Sequence, residues 1–225
     1  MLSQDFTRYD QKLEFILRTS ARIFAEKGYH STSMREISRE TGVSLAGLYH
    51  YCKSKEELLF LIQDNCFGHV LDRIERQLQE TSEPIAKLHI VIENHLSFFA
   101  ANMAEMKVLS HEADSLAGEL HEHVSSKKQQ YTKLVRGILS EVQQGRPGGG
   151  QRVDLTVATY AMFGMMNWIY NWYDPKGKLS VHELVGNITS VFLGGFLAGT
   201  DRDELQFKPN GGSSERLSVW REPQV

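Results

Sequence analysis

The sequence predicts an all-α chain, and three observations lead there. Apolar residues recur at three- and four-residue spacing along most of its length. Ser, Thr and Gly stand where those runs start and stop. No stretch alternates apolar and polar residues convincingly as a half-buried strand would, and no internal repeat stands out. With 225 residues, 41% of them hydrophobic and 24% charged, the chain suits one large domain or a small domain joined to a larger one.

The elements follow in order. From Tyr9 to Gly28 the positions Leu13, Ile16, Leu17, Ala21 and Phe24 keep one face apolar, and Gly28 is a natural C-terminal stop. Thr32 and Ser33 can cap the next helix, which turns Met34 and Ile37 inward and ends at Gly42. A tight turn leads to a second short helix, Ser44 to about Tyr51. Ser54 caps a long helix whose first turn carries Glu56 and Glu57, where carboxylates favour the helix dipole. "TSEP" at 81–84 breaks the chain. Ile85, Leu88, Ile92 and Phe99 mark another helix, and a shorter one is expected from Met103 to Ala113. A long helix spans Ala117 to Gln144 before "GRPGGG" forces a loop. Two last helices, 153–173 and 180–199, are joined by "DPKGK", and the aperiodic polar segment 201–225 reads as a disordered tail. The expected division is 1–58, 59–200 and 201–225, with the first boundary inside the connector helix after Leu58.

Bulk charge excludes a polybasic nucleic-acid binder, because the net charge is −3. Two cysteines, Cys52 and Cys66, make no disulfide scaffold. The N-terminal "MLSQDFTRYD" has acids and no apolar core, unlike a signal peptide, so a reducing cytoplasm is the expected location.

Two short helices joined by a tight turn make a helix-turn-helix, whose second helix enters the major groove of DNA. Leu48 and Cys52 point inward, while Leu45, Ala46, Tyr49 and His50 lie opposite, with Gly47 near the edge. Between Thr41 and Lys55 there are cations and no acid, and residues 1–58 hold nine Lys/Arg against eight Asp/Glu. An ordinary helical hairpin with a polar surface is the competing reading of this spacing.

"TSMREISRETGVSLAGLYHYCKSKEELL" resembles the N-terminal domain of tetracycline-repressor family transcriptional regulators over roughly residues 12–62. It shares the ordered pattern T-x-x-x-I-x-x-x-x-G-V-S followed by G-L-Y, aromatics and S-K-x-x-L. The resemblance implies a helix-turn-helix DNA-binding domain followed by a helical ligand-binding and dimerisation domain. It places Thr32, Ser33 and Lys55 on phosphates and Ser44, Leu45, Ala46 and Gly47 at base edges. Tyr49, His50 and Tyr51 would divide between phosphates and bases. Cys52 stands where the family usually has Phe, so looser packing is expected there. Leu45 and Ala46 lack hydrogen-bonding side chains, which predicts thymine-methyl contact and shape readout.

Residues 155–173 and 184–199 carry no charge. A membrane hairpin and burial inside a soluble oligomer are both considered; flanking acids and internal Asn favour burial. In the resembled family the last two helices pair across a two-fold axis, implying a homodimer on a palindromic double-stranded operator and no membrane association. Gly195 and Gly199 would let a partner helix approach. His95, Phe98, Phe99, Met103, Met106, Tyr131, Met162, Met165, Met166, Asn167 and Tyr170, with Trp168, are either plain core or the wall of a pocket for an elongated apolar ligand. Asn167, His95 or Arg136 would orient a polar head. The run "MNWIYNWY" before Asp-Pro also resembles relatives that sense acyl-CoA thioesters. The expected effector is therefore an acyl-CoA, a fatty acid or an aromatic compound, with no cofactor.

No metal site is expected. Glu119 and His123 share a helix face, but a solvated surface explains "SHEADSLAGELHEHV" better. No Gly-x-Ser-x-Gly is present and "GRPGGGQ" lacks the P-loop ending, which argues against an enzyme. Three readings stay open: a repressor released by an apolar effector, a dimeric DNA-binding regulator with no effector, and a helical enzyme without a recognisable motif.

Overall fold

The computed structural model describes residues 8–145 and 153–197. Gly199, most of the expected GRPGGG loop and the expected tail lie outside the described residues. Among the described residues nine α-helices follow one another: α1 (Arg8–Lys27), α2 (Met34–Thr41), α3 (Leu45–Tyr51), α4 (Lys55–Leu78), α5 (Pro84–Ala101), α6 (Met103–His111), α7 (Gly118–Gln144), α8 (Leu155–Asn167) and α9 (Val181–Leu197). No strand occurs among the described residues.

Two apolar clusters organise the chain. The smaller gathers Ile16, Phe24, Ile37, Leu48 and Cys52 with Leu58, Leu59 and Ile62 from the start of α4. The larger is built by the rest of α4 with α5 and α7–α9, around Val70, Ile74, Leu88, Ile92, Leu139, Met162 and Met166. The first cluster is not self-contained. Val108 of α6, Leu116 of the following turn and Val124 of α7 complete it, and α6 packs along α1. Tyr29 N–H donates to the Glu112 carboxylate (3.2 Å), and Gln63 Nε2 donates to the Glu112 carbonyl (3.1 Å). The α6–α7 turn thus grips the α1–α2 turn through Glu112 and through Ser115, whose hydroxyl pairs with His30 Nε2 (3.4 Å).

The helix expected at 153–173 is α-helical only to Asn167, then tightens into a 3₁₀ turn at Trp168–Asn171. The cause is local. Pro175 disfavours helix at the residue before it, and the end closes with a three-residue bond from Trp172 N–H (3.1 Å) and a four-residue bond from Tyr173 N–H (2.9 Å), both to the Ile169 carbonyl. No helix among the described residues is long and apolar enough to cross a membrane.

Candidate functional site

The first candidate surface is α3. Ser44 caps it, its Oγ accepting from Gly47 N–H at 3.1 Å. Gly42 adopts φ 65°, a left-handed conformation that stops α2 and permits the turn. Ser38 Oγ donates to the Val43 carbonyl (2.6 Å) and Thr41 Oγ1 to the Ile37 carbonyl (2.7 Å), so the turn's polar groups are satisfied internally. A Cβ at Gly47 would sit 2.9 Å from Val43 Cγ1, so this glycine lets α3 close on the turn. Leu48 is fully buried, while Ala46, Tyr49 and His50 are exposed, Tyr49 at 48%.

The other expected DNA-facing residues divide. Ser33 lies exposed and caps α2, accepting from Glu36 N–H (3.3 Å). Thr32 is buried, and its hydroxyl donates to the Gly28 carbonyl (2.9 Å). Lys55 turns inward: its ammonium donates to the carbonyls of Tyr29 and Thr32 (both 2.9 Å) and lies 4.3 Å from the centre of the Tyr29 ring. Tyr51 stacks on Tyr9 (4.8 Å between ring centres), which also meets His50 edge-on (6.0 Å). Tyr9, at the start of α1, and exposed Lys53 border this surface, and position relative to the motif did not single them out. Cys52 is 2% exposed, so the small core closes over it, and burial followed by the Glu57 charge pushes its thiol pKa up to about 11.

The second candidate site is a cavity of about 870 Å³ between α4, α5, α6, α7 and α8. Of the expected ligand residues it is lined by His95, Phe99, Met106, Tyr131, Asn167 and Tyr170, with Trp168 and Arg136. Met162 and Met166 are instead buried in the larger core, and Met103 and Met165 pack against it. Phe98 lines a different cleft, about 740 Å³, between α1 and α4–α6. Phe67, Val70, Leu109, Tyr160 and Phe163 complete the apolar wall without having been expected. For Tyr160 and Phe163 the signal lay in helical phase with Asn167 on α8; Phe67, Val70 and Leu109 stand on other helices, and spacing along the chain carried no signal for them.

Among the described residues no carboxylate lines this cavity. Its α7 side carries Lys128, Lys133 and Arg136, none in an ion pair among the described residues. Burial lowers the Lys128 pKa, against a smaller opposing effect of Asp114. Inside, His95 Nδ1 pairs with Tyr131 Oη at 3.1 Å. Burial pushes the His95 pKa down to about 3 and raises that of Tyr131, so both are neutral at physiological pH. The Asn167 side chain approaches the His95 ring and partly opposes that shift, yet Nε2 forms no hydrogen bond of normal geometry. His111, on the cavity wall, pairs with Tyr170 Oη (3.0 Å). His123 is bound to Asp64 (2.8 Å), away from Glu119.

A short capped helix presented outward beside a tight turn, carried on a helical bundle with its own cavity, belongs to the class of two-part, helix-turn-helix DNA-binding regulators. Comparison with known proteins agrees. The profile "Bacterial regulatory proteins, tetR family" matches residues 16–62, and "Tetracyclin repressor-like, C-terminal domain" matches 81–196. The chain belongs to the tetracycline-repressor family, and it is a transcriptional regulator rather than an enzyme. It is 28% identical over 184 residues to the "Fatty acid metabolism regulator protein" of Bacillus subtilis, covering 80% of this chain and 93% of that one. It is 26% identical over 196 residues to the "HTH-type transcriptional repressor KstR2" of Mycolicibacterium smegmatis, covering 86% and 92%. Among solved structures, AibR in complex with isovaleryl coenzyme A and operator DNA superposes with a TM-score of 0.70 at 28% identity, covering 80% and 97%. A tetracycline-repressor family regulator from Bordetella parapertussis superposes with a TM-score of 0.76 at 28% identity, covering 84% and 97%.

Proposed function

We propose that the protein is a homodimeric repressor that binds a palindromic operator and leaves it when an acyl-CoA or a fatty acid enters the α4–α8 cavity. The observation that carries this reading is the cavity itself: apolar walls, no carboxylate, and three cations on one side without ion pairs among the described residues. An acyl chain matches the walls and an anionic head matches the cations. The names of AibR's bound ligand and of the Bacillus regulator support the same effector class.

Dimerisation is supported by the outer faces of α8 and α9. Val157, Tyr160, Ala161, Gly164 and Trp168 form an exposed, uncharged stripe on one; Gly186, Asn187, Ser190, Val191, Gly194 and Gly195 form one on the other. A Cβ at Gly164, Gly186, Gly194 or Gly195 would meet nothing within 4 Å, so packing within the protomer does not require glycine there. A second copy would cover this face and place two α3 helices on successive major grooves. Ala46, Tyr49 and His50 would face the groove, with Leu45 at its edge on thymine methyls and Ser33 and Lys53 against phosphates.

Coupling runs through adjacent residues. His111 touches Tyr170 at the cavity, and Glu112 holds Tyr29 N–H in the DNA-reading half. A ligand that moves the end of α6 would shift α1 and the spacing of the two readers. A preference of about 100-fold for one spacing corresponds to about 2.7 kcal/mol, enough to empty an operator.

The test is fluorescence anisotropy on a duplex selected by the protein from random sequence. The expected site is a palindrome, bound with a steep negative salt dependence and released by acyl-CoA. A flat salt dependence overturns the operator contact. A panel of acyl-CoAs, fatty acids and aromatics that shifts neither DNA binding nor Tm would leave the C-terminal bundle as a dimerisation unit alone.

A further inference from the structure

Resting on that reading, we infer that the buried His95–Tyr131 pair recognises the carbonyl oxygen of a thioester, so that the protein senses the CoA ester in preference to a chain lacking that carbonyl. The argument starts from a polar group with no partner. His95 Nδ1 meets Tyr131 Oη at 3.1 Å, and Tyr131 Oη has no other partner among the described residues. Nε2, on the opposite side of the ring, is buried with the Asn167 side chain near the ring but no hydrogen bond of normal geometry, and His95, only 3% exposed, lines the cavity.

Two proton arrangements compete. If Nδ1–H donates to Tyr131, both the tyrosine O–H and the Nε2 lone pair are left unpaired in the core. If Tyr131 O–H donates to Nδ1, only Nε2–H is unpaired. Every unsatisfied buried group carries an unrecovered desolvation cost, so the second arrangement, with fewer of them, prevails. The ring then presents a neutral N–H donor to the cavity. Asn167 lies beside it on the cavity wall and can bring its amide to the same acceptor.

What such a donor selects follows from charge. A carboxylate pressed against it would lose its hydration and meet a neutral ring, since the cavity's lysines and arginine lie on the outer part of α7, Lys133 and Arg136 being solvent-exposed. A thioester carbonyl is an uncharged acceptor and loses far less. It also leaves the CoA phosphates outside the apolar wall, where Lys128, Lys133 and Arg136 stand.

The experiment is calorimetric titration of the full chain with matched pairs: octanoyl-CoA against S-octyl-CoA, and isovaleryl-CoA against S-isopentyl-CoA, in which a methylene replaces the carbonyl. The esters are expected to bind about tenfold tighter. H95F should bring the two members of each pair within about twofold of one another, and H95Q, which keeps a donor, should restore part of the preference. Should H95F fail to fold, Y131F removes only a hydroxyl and should also shrink the ratio, because it frees the ring from its fixed tautomer. In the intact protein, ¹⁵N correlations of the His95 ring should show the proton on Nε2. Equal affinities of ester and thioether mean that solvent serves Nε2 equally well, and the inference falls while the effector reading stands. A ratio that survives H95F overturns it too. If no CoA derivative of either kind binds, the inference and the proposed effector class fall together.

Discussion

The DNA-reading half and the cavity half treat their polar side chains in opposite ways. Around α3 the hydroxyls of Ser33, Thr32, Ser38, Thr41 and Ser44 and the ammonium of Lys55 are all committed to backbone groups of their own unit. In the cavity His95 Nε2 makes no hydrogen bond of normal geometry, and half-buried Lys128 and solvent-exposed Lys133 and Arg136 stand without ion pairs among the described residues. The first arrangement gives a stiff surface, shaped before any DNA arrives. The second leaves unmet chemistry that a ligand can satisfy. Between them stands the α6–α7 turn, where consecutive residues bond to either side.

Mutations can break or sharpen this contrast. The largest effect is expected from Leu48→Ala, which empties the centre of the small core and should cost about 2–5 kcal/mol in thermal or denaturant unfolding, with operator binding lost as a consequence. Lys55→Met comes next. If the ammonium serves the Tyr29 and Thr32 carbonyls, the variant should lose about 1.5–3 kcal/mol of stability. If it served phosphate instead, stability would hold and the salt slope of DNA binding would fall by about one. These two outcomes distinguish a structural lysine from a DNA-contacting one.

The His95 ring supplies a pH test on the other side. Its folded pKa, about 3, lies below the ordinary value of 6.5, so between those values the unfolded chain carries a proton that the folded one does not. Stability should therefore decline as pH falls through 6.5 towards 3, by up to about 1 kcal/mol per pH unit. The difference between the wild type and His95→Phe isolates this contribution from carboxylate effects. Glu112→Gln keeps the size of the side chain and removes its charge. It should barely change effector affinity yet reduce effector-driven release of DNA several-fold, as read by anisotropy with and without octanoyl-CoA. The smallest effect belongs to Ser44→Ala, about 1 kcal/mol of helix-cap stability, with the operator sequence preference unchanged.

How much was legible in the sequence tracks the same division. The reader is local: Thr41-Gly42-Val43-Ser44, the cap at Ser54 and the inward Leu48 are fixed by spacing within about twenty residues, so each helix there begins and ends where the caps predict. Yet spacing could not tell that Lys55 folds back across a gap of more than twenty residues to reach Tyr29. The cavity is non-local. Met162 and Met166 share a helix with Asn167 and looked equally suited to a pocket, but their phase on α8 turns them into the core, while Tyr160 and Phe163 line the opening. Its wall comes from five helices and a 3₁₀ turn, and only their mutual rotation decides which apolar residue meets ligand and which meets protein.

Gly47 carries a consequence for how such a protein acquires new targets. With a 2.9 Å approach to Val43 awaiting any added methyl, that position is closed to change. Leu48 is closed by the core and Tyr51 by its stack on Tyr9. On the seven residues of α3 the chemistry that meets a base pair can therefore be rewritten freely at Ala46, Tyr49 and His50, and only partly at Leu45. Relatives retargeted by evolution or by selection in the laboratory would be expected to differ at those places, while the scaffold that aims them stays the same.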